Sequence, residues 1–210
     1  MRVYFDVGSN DGSSSISWIN QGHEVHLFEP NPSLVKNYMD GPMPIDRPNV
    51  HVNQVAVSDY NGTAQFNICV THDRGCSSLL DISERAKTEW GGRQDMIPTH
   101  KIDVQVIRLD SYDPLNNIDE IEFFHCDAQG SDLRVLKGMG KHLRKIKAGV
   151  VEAAAKQDIL YRDQNHIQET IAFLETNGFS VNYIQANDFQ HNEVNIGFTR
   201  VENFSANTSD

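Results

Sequence analysis

Three groups of residues have the types and spacing to do chemistry. The first is Asp6-Val7-Gly8-Ser9-Asn10-Asp11-Gly12, a turn directly after the apolar run 2–7. It holds two acids and two glycines. A glycine accepts positive φ and puts no Cβ between backbone and ligand. The second group is Glu29 with Pro30, which closes another apolar run, 24–29. A carboxylate there can accept hydrogen bonds from both hydroxyls of an adenosine ribose, and bonds to a charged group are worth about 1.5–3 kcal/mol each. The third group is His125, Asp127 and Glu152. His125 and Asp127 stand two residues apart on one strand and share a face. Either can accept a proton from a hydroxyl, with Glu152 on the next strand orienting the acceptor.

The charges indicate which ligand the first turn suits. A dinucleotide sets its pyrophosphate at the N-terminus of the following helix, a place that must be free of acid. Here Asp6 and Asp11 flank it. Carboxylates repel a pyrophosphate and attract an ammonium or a sulfonium. The turn also lacks the full G-x-G-x-x-G spacing. S-adenosylmethionine carries both cations and no phosphate, so it is the expected cofactor. Asp6, Gly8, Ser9, Asn10, Asp11, Gly12, Glu29 and Pro30 are expected to hold it, and methyl transfer is the expected reaction. Glu29 would serve any adenosine. An NAD- or nucleotide-sugar-dependent oxidoreductase therefore stays open as an alternative, as does a non-catalytic cofactor-binding module.

These residues need a scaffold that brings strand ends together. Residues 2–7, 24–29 and 50–57 read as strands. Between them 13–21 reads as a helix with Ile16 and Ile19 on one face, and 33–39 as a helix opened by Pro32. Residues 41–49 read as loop. Strand and helix in alternation predict a parallel sheet covered by helices, with ligands beyond the carboxyl ends of the strands. The middle differs. Asn61-Gly62 marks a turn, 63–70 alternates like one strand of a hairpin, and 104–109 is strand-like. Residues 71–100 are polar and irregular apart from a short helix near 82–90, too long for a plain connection. They are expected to form a lid over the acceptor, with Ser77, Ser78, Arg85, Trp90 and Arg93 in it. The alternation resumes with strands 120–127 and 148–153, helices 131–143 and 166–177, and closing strands 179–184 and 194–198. Gly178 is expected to stop the second helix. One domain over 1–201 and a frayed tail over 202–210 follow from this.

Bulk properties narrow the partners. The chain has 210 residues and a formal net charge of −11. An acidic surface repels phosphate backbones, so nucleic acid is not the expected acceptor. The basic cluster Lys137, Lys141, Arg144, Lys145 and Lys147 reads as a solvated helix face. No run of about 18 apolar residues is present, so no membrane span is expected. No signal-peptide h-region precedes the first strand, which suggests a cytoplasmic protein. Cys69, His72 and Cys76 loosely resemble metal-ligand spacing, but no second pair accompanies them. They read as incidental thiols in a surface loop, and no metal is expected.

The residues together resemble the FkbM-type S-adenosylmethionine methyltransferases. The matching blocks are FDVGSNDGSSS (5–15), HLFEPNP (26–32), NQVAVSDYNGTAQF (53–66), GCSSLLD (75–81), VQVIRLDSY (104–112), HCDAQGSDLRVLKGM (125–139) and VVEA (150–153), in the family's order. The resemblance implies an α/β, Rossmann-like class I methyltransferase fold: a single domain with a seven-stranded, mostly parallel sheet, helices on both faces and a reversed final hairpin. It implies O-methylation of a hydroxyl on a sugar or other small molecule. By the matched motifs, Asp6, Gly8 and Gly12 would line the cofactor and Glu29 would hold its ribose. Ala56 and Val57 would approach the adenine, and Asp127 would sit over the methyl-donor end. The family often has Lys at the place of His125 and Glu at the place of Gln129.

Overall fold

A computed structural model describes residues 1–40, 47–69, 74–89, 97–156, 160–187, 192–202 and 204. Its centre is a seven-stranded sheet in the order β3-β2-β1-β7-β8-β10-β9. The first strands are β1 (Val3–Val7), β2 (Glu24–Phe28) and β3 (Val50–Asn53), followed later by β7 (Phe123–Cys126) and β8 (Ala148–Ala154). These five pair in parallel. The closing hairpin β9 (Phe179–Ala186) and β10 (Glu193–Arg200) is antiparallel, with β10 inserted beside β8. This is the expected Rossmann-like sheet with its reversed final hairpin. The chain winds outward from β1 through β2 to β3, then restarts at β7 on β1's other side. The order thus reverses between β1 and β7, which is where such sheets bind ligands.

Aromatic and β-branched residues build β1, and alternation sends them to both faces. Tyr4 joins Val25, Leu27, Ile19 and Tyr38 in one buried cluster, closed by α1 (Ile16–Asn20) and α2 (Pro32–Asp40). Phe5 and Val7 join Phe28, Phe124 and Val151 in the larger one. Leu136 of α4 (Asp132–Gly138) and Leu174 of α5 (Ile167–Thr176) belong to that larger cluster. Full burial of such a side chain is worth about 1.5–3 kcal/mol. Among the described residues no helix is long and apolar enough to cross a membrane.

The structure differs from the sequence reading in several places, each for a visible reason. The run 50–57 is not one strand. Val55 N donates back to Asn53 O at 2.9 Å, and Asn53 Nδ2 donates to Leu27 O at 3.1 Å. This tight turn ends β3 and starts β4 (Ala56–Val57) in a second sheet, with β5 (Gly62–Ile68) and β6 (His100–Ile107) in the order β4-β6-β5. The helix expected over 131–143 stops at Gly138. The chain reverses at Gly140, whose φ of 49° suits glycine, and continues as a 3₁₀ turn to Lys145.

The basic cluster is only partly a solvated face. Lys137 and Lys141 are exposed. Lys145 Nζ donates to Leu115 O and Ile118 O at 2.8 and 2.7 Å, and Arg144 donates to Gly178 O at 2.5 Å and Val201 O at 3.0 Å. These cations satisfy carbonyls of neighbouring loops. Nor do Cys69 and Cys76 lie in a surface loop. Both are buried with Leu80, Ala86, Ala154, Leu160 and Tyr161. That cluster docks the described parts of the insert, including α3 (Glu84–Glu89), onto the end of β8. His72, Trp90, Arg93, 41–46 and most of the tail lie outside the described residues.

Candidate functional site

At the carboxyl ends of β1, β2 and β7 lies a cavity, in the place where such sheets bind small molecules. Its lining includes Gly8, Asn10, Glu29, Pro30, Ala56, Val57 and Asp127. All seven are sequence candidates. Asp6, Ser9, Asp11 and Gly12, from the same turn, do not line it, and neither do His125 and Glu152.

The turn after β1 is pinned from below. Gly8 N and Ser9 N both donate to Phe28 O, at 2.9 and 3.2 Å. Ser9 is buried, with Oγ 3.1 Å from Tyr38 Oη, and the Tyr38 hydroxyl donates to the Asn10 carbonyl. Asp11 is exposed and caps Ser13 N at 3.0 Å. Gly12, with φ 76°, leads into the 3₁₀ turn Ser13–Ser15. Gly8 serves the protein as well as the cavity. At φ 77°, a Cβ there would stand 1.9 Å from the Asp127 carbonyl oxygen.

Glu29 ties the two turns together. One oxygen accepts from Asn10 N at 3.0 Å and the other from Asn31 N at 2.8 Å. It is 5% exposed, and that remnant faces the cavity. Burial raises its carboxyl to about 7. The two amides pull it down, and the charges of Asp6 and Asp127 push it up again. A group that donates to Glu29 or brings positive charge meets a carboxylate ready to release its proton.

Asp6 faces the other way. It has no exposed surface. Ser15 Oγ donates to Oδ2 at 2.6 Å, and His125 Nδ1 donates to Oδ1 at 2.8 Å. Strand register sets this pair, since Asp6 on β1 lies opposite His125 on β7. His125 keeps 24% of its side chain exposed. Burial lowers its proton affinity, but the Asp6 hydrogen bond and charge, with Asp127 and Asp132 behind them, outweigh that and leave it raised.

Asp127 follows β7 on the face of His125. Burial raises its carboxyl, and Gln129 Nε2 donates to Oδ1 at 2.5 Å. Behind it stand two sealed acids. Asp132 Oδ1 accepts from Ala128 N and Glu152 N at 3.2 and 3.3 Å, and burial first, then Asp127, raises it to about 7. Glu152 is 2% exposed and accepts from Asn187 Nδ2; burial first, then Asp127 and Glu193, push it well up.

Sequence reasoning missed the hub of the far wall, Gln129. Its φ is 47°, its carbonyl accepts from Ser78 Oγ at 2.7 Å, and its Oε1 accepts from the Tyr161 hydroxyl at 2.7 Å. Through it the insert meets β7, and Gly75, Ser77 and Leu79 become cavity wall. Phe28, Val55 and Phe66 complete the apolar side. The signal was its departure from the family's pattern, in the DAQG turn next to Asp127.

The cavity suits an adenosine cation. It combines an apolar slot beside Val55–Val57, a buried carboxylate with lone pairs to spare at Glu29, and a second carboxylate at Asp127. At the turn after β1 the Asp11 carboxylate already accepts from Ser13 N, where a pyrophosphate would otherwise find that amide.

Residues 6–181 match the methyltransferase FkbM domain family. No curated protein matches the chain. Among solved structures, an rRNA methylase from Streptococcus thermophilus is 9% identical, covering 96% of this chain and 87% of its own, at a TM-score of 0.51. The 1,6-didemethyltoxoflavin-N1-methyltransferase of Burkholderia thailandensis, solved with S-adenosylhomocysteine, is 12% identical, covering 95% of this chain and 71% of its own, at a TM-score of 0.46. At 9% identity the likeness to the rRNA methylase speaks for the fold alone. The family match decides for methyl transfer over the oxidoreductase alternative: the chain belongs to the FkbM methyltransferase family, and its cofactor is S-adenosylmethionine.

Proposed function

We propose that this enzyme methylates a hydroxyl of a small molecule or a glycan, with His125 as the base. The observation that carries this reading is the Asp6–His125 pair beside Asp127. A base held at one ring nitrogen by a buried carboxylate has its other nitrogen directed outward, the arrangement used to activate hydroxyl nucleophiles. A hydroxyl needs such help, worth about 10²–10⁴-fold in rate. An amine acceptor needs it less.

When bound, S-adenosylmethionine supplies a methyl group on a cationic sulfur. The chain's own residues do the rest. Glu29 accepts the ribose hydroxyls, with Pro30 beside it. Ala56 and Val57 flank the adenine. Gly8 and Asn10 present backbone to the ligand, and Asp127 faces its cationic end. Ser9, Asp11 and Gly12 act by shaping the turn, and Asp6 by holding His125. His125 Nε2 takes the acceptor's proton, and Asp6 stabilises the imidazolium that results. Glu152 supports the site from behind, through Asp132 and the strand β10, and makes no substrate contact in this reading. The described part of the insert acts as the lid: its wall of Gly75, Ser77 and Leu79 excludes water. Residues 1–201 act as one methyltransferase domain. The net charge of −11 favours an uncharged or cationic acceptor over nucleic acid. The odd cysteine count suits the cytoplasm.

The test is methyl transfer from labelled S-adenosylmethionine to a panel of glycans, hydroxylated metabolites, amines and RNA. The expected product is a methyl ether, formed at least about 100-fold more slowly by His125→Ala. Methylation confined to an amine or to RNA would overturn the proposal, and cofactor binding with no transfer to any acceptor would mark a non-catalytic module.

A further inference from the structure

At the opposite end of the sheet from the cavity, three donor side chains converge. Glu24 opens β2, His26 follows on the same face, and His51 of β3 lies directly across from His26 in the strand register. Glu24 Oε1 is 3.1 Å from His26 Nε2 and 3.6 Å from His51 Nε2. The three donor atoms all lie within 4.8 Å of one another. Ligands about 2.0–2.2 Å from a tetrahedral zinc stand roughly 3.3 Å apart, so these separations suit a shared ion. The two imidazoles stack at 4.4 Å, which brings their edges side by side toward the carboxylate.

The surroundings complete the pattern. His26 has no exposed surface, and its Nδ1 lies 2.9 Å from Tyr112 Oη. A metal-bound histidine nearly always donates its second ring N–H to an oxygen, which fixes the tautomer and aims the other nitrogen. Tyr112 provides that oxygen. His51 is 43% exposed and Glu24 25%, so an ion has an entry path and a solvent-facing fourth position.

We propose that Glu24, His26 and His51 form a binding site for a divalent transition metal of the zinc type, clamping the edge strand β3 to β2. The sequence reading expected no metal, because it weighed Cys69, His72 and Cys76 and not the histidines of β2 and β3. Its signal was an acid and a histidine two apart on one strand, with a histidine opening the next. The site lies apart from the methyl-transfer chemistry and stands whether or not that chemistry is as proposed above.

The experiment is calorimetric titration of the chelator-stripped full chain with Zn²⁺, repeated with Co²⁺ while the visible spectrum is recorded. The expected result is one ion per chain and a tetrahedral cobalt spectrum. Zinc should also raise the unfolding temperature. His51→Ala, a half-exposed change that leaves the fold intact by circular dichroism, should weaken binding about 100-fold or more. Tyr112→Phe should weaken it about 10–100-fold. His100→Ala should leave it unchanged. Absence of binding by the wild-type chain, or equal binding by folded His51→Ala, would overturn the proposal, as would a loss in His100→Ala equal to that in His51→Ala.

Discussion

Asp6 and Glu29 stand at the ends of neighbouring strands, and the sequence offers both as cofactor ligands. The structure turns them to different work. Glu29 is held by two backbone amides, each taking one lone pair of one oxygen, and its free lone pairs face the cavity. Asp6 is held by two side chains, Ser15 and His125, and does not line this cavity. A carboxylate pinned by backbone can still greet a ligand, whereas one enclosed by side chains can act only through them. In the function proposed above, the difference makes Glu29 a binding residue and Asp6 a positioning one.

The largest effect that could break this division is on turnover. His125→Ala should lower kcat by about 10²–10⁴-fold while the Kd for S-adenosylhomocysteine shifts no more than a few-fold. If both fell together, Asp6 and His125 would belong to the cofactor site after all.

Asp6→Asn should lower kcat by no more than His125→Ala does, since Asp6 acts only through His125. It also has a signature that a structural role would lack. His125 is held above its ordinary value largely by the Asp6 hydrogen bond and charge. A base works deprotonated, so wild-type turnover should rise with pH through a midpoint above 6.5. Removing the charge should move that rising limb to lower pH. A limb that does not move would separate His125 from the reaction.

Glu29 makes a different pH prediction. Its carboxyl stands near 7, above its ordinary 4.5. In the cofactor-free protein this stabilises the fold at acid pH, fully below 4.5, and that contribution is lost as pH rises through about 7. Ribose hydroxyls and a cation favour the ionised form. Binding of S-adenosylhomocysteine should therefore weaken as pH falls below about 7, by up to about tenfold per unit, with proton release on binding. Calorimetry in two buffers of different ionisation heat measures that release directly.

The smallest effect should come from Ser15→Ala. It leaves one Asp6 oxygen buried without its donor, which costs about 1–3 kcal/mol of unfolding free energy. Turnover in the folded fraction should hardly change. Urea denaturation and an assay on the same sample would show both.

Much of the fold was legible because strand, glycine turn and helix recur with clear periodicity on both sides of the insert. What was not legible depends on contacts between distant segments. Nothing in VHVNQVAV reveals that Asn53 turns the chain into a second sheet, since its partner Leu27 is 26 residues away. Arg144 and Lys145 look like a charged helix face until the carbonyls they reach are known. Cys69 and Cys76 look like loop residues until Tyr161 is seen packing with them.

The site divides the same way. Residues whose backbone or strand end forms the cavity, such as Gly8, Glu29 and Asp127, could be read from position along a strand, whereas Ala56 and Val57 came only with the family resemblance. The Asp6–His125 pairing could not, because it rests on the register of β1 against β7. Gln129 was visible only as a departure from the family's pattern, and its bonds to Ser78 and Tyr161 come from parts of the chain whose approach no local signal announces.

The most direct test of the account is calorimetric titration of wild-type and Glu29→Ala protein with S-adenosylhomocysteine at pH 8. Two lost bonds to a charged group predict at least about a 100-fold rise in Kd for the variant, with its fold intact by circular dichroism. Equal affinity in the two proteins would contradict it and leave the cavity without its proposed ribose anchor.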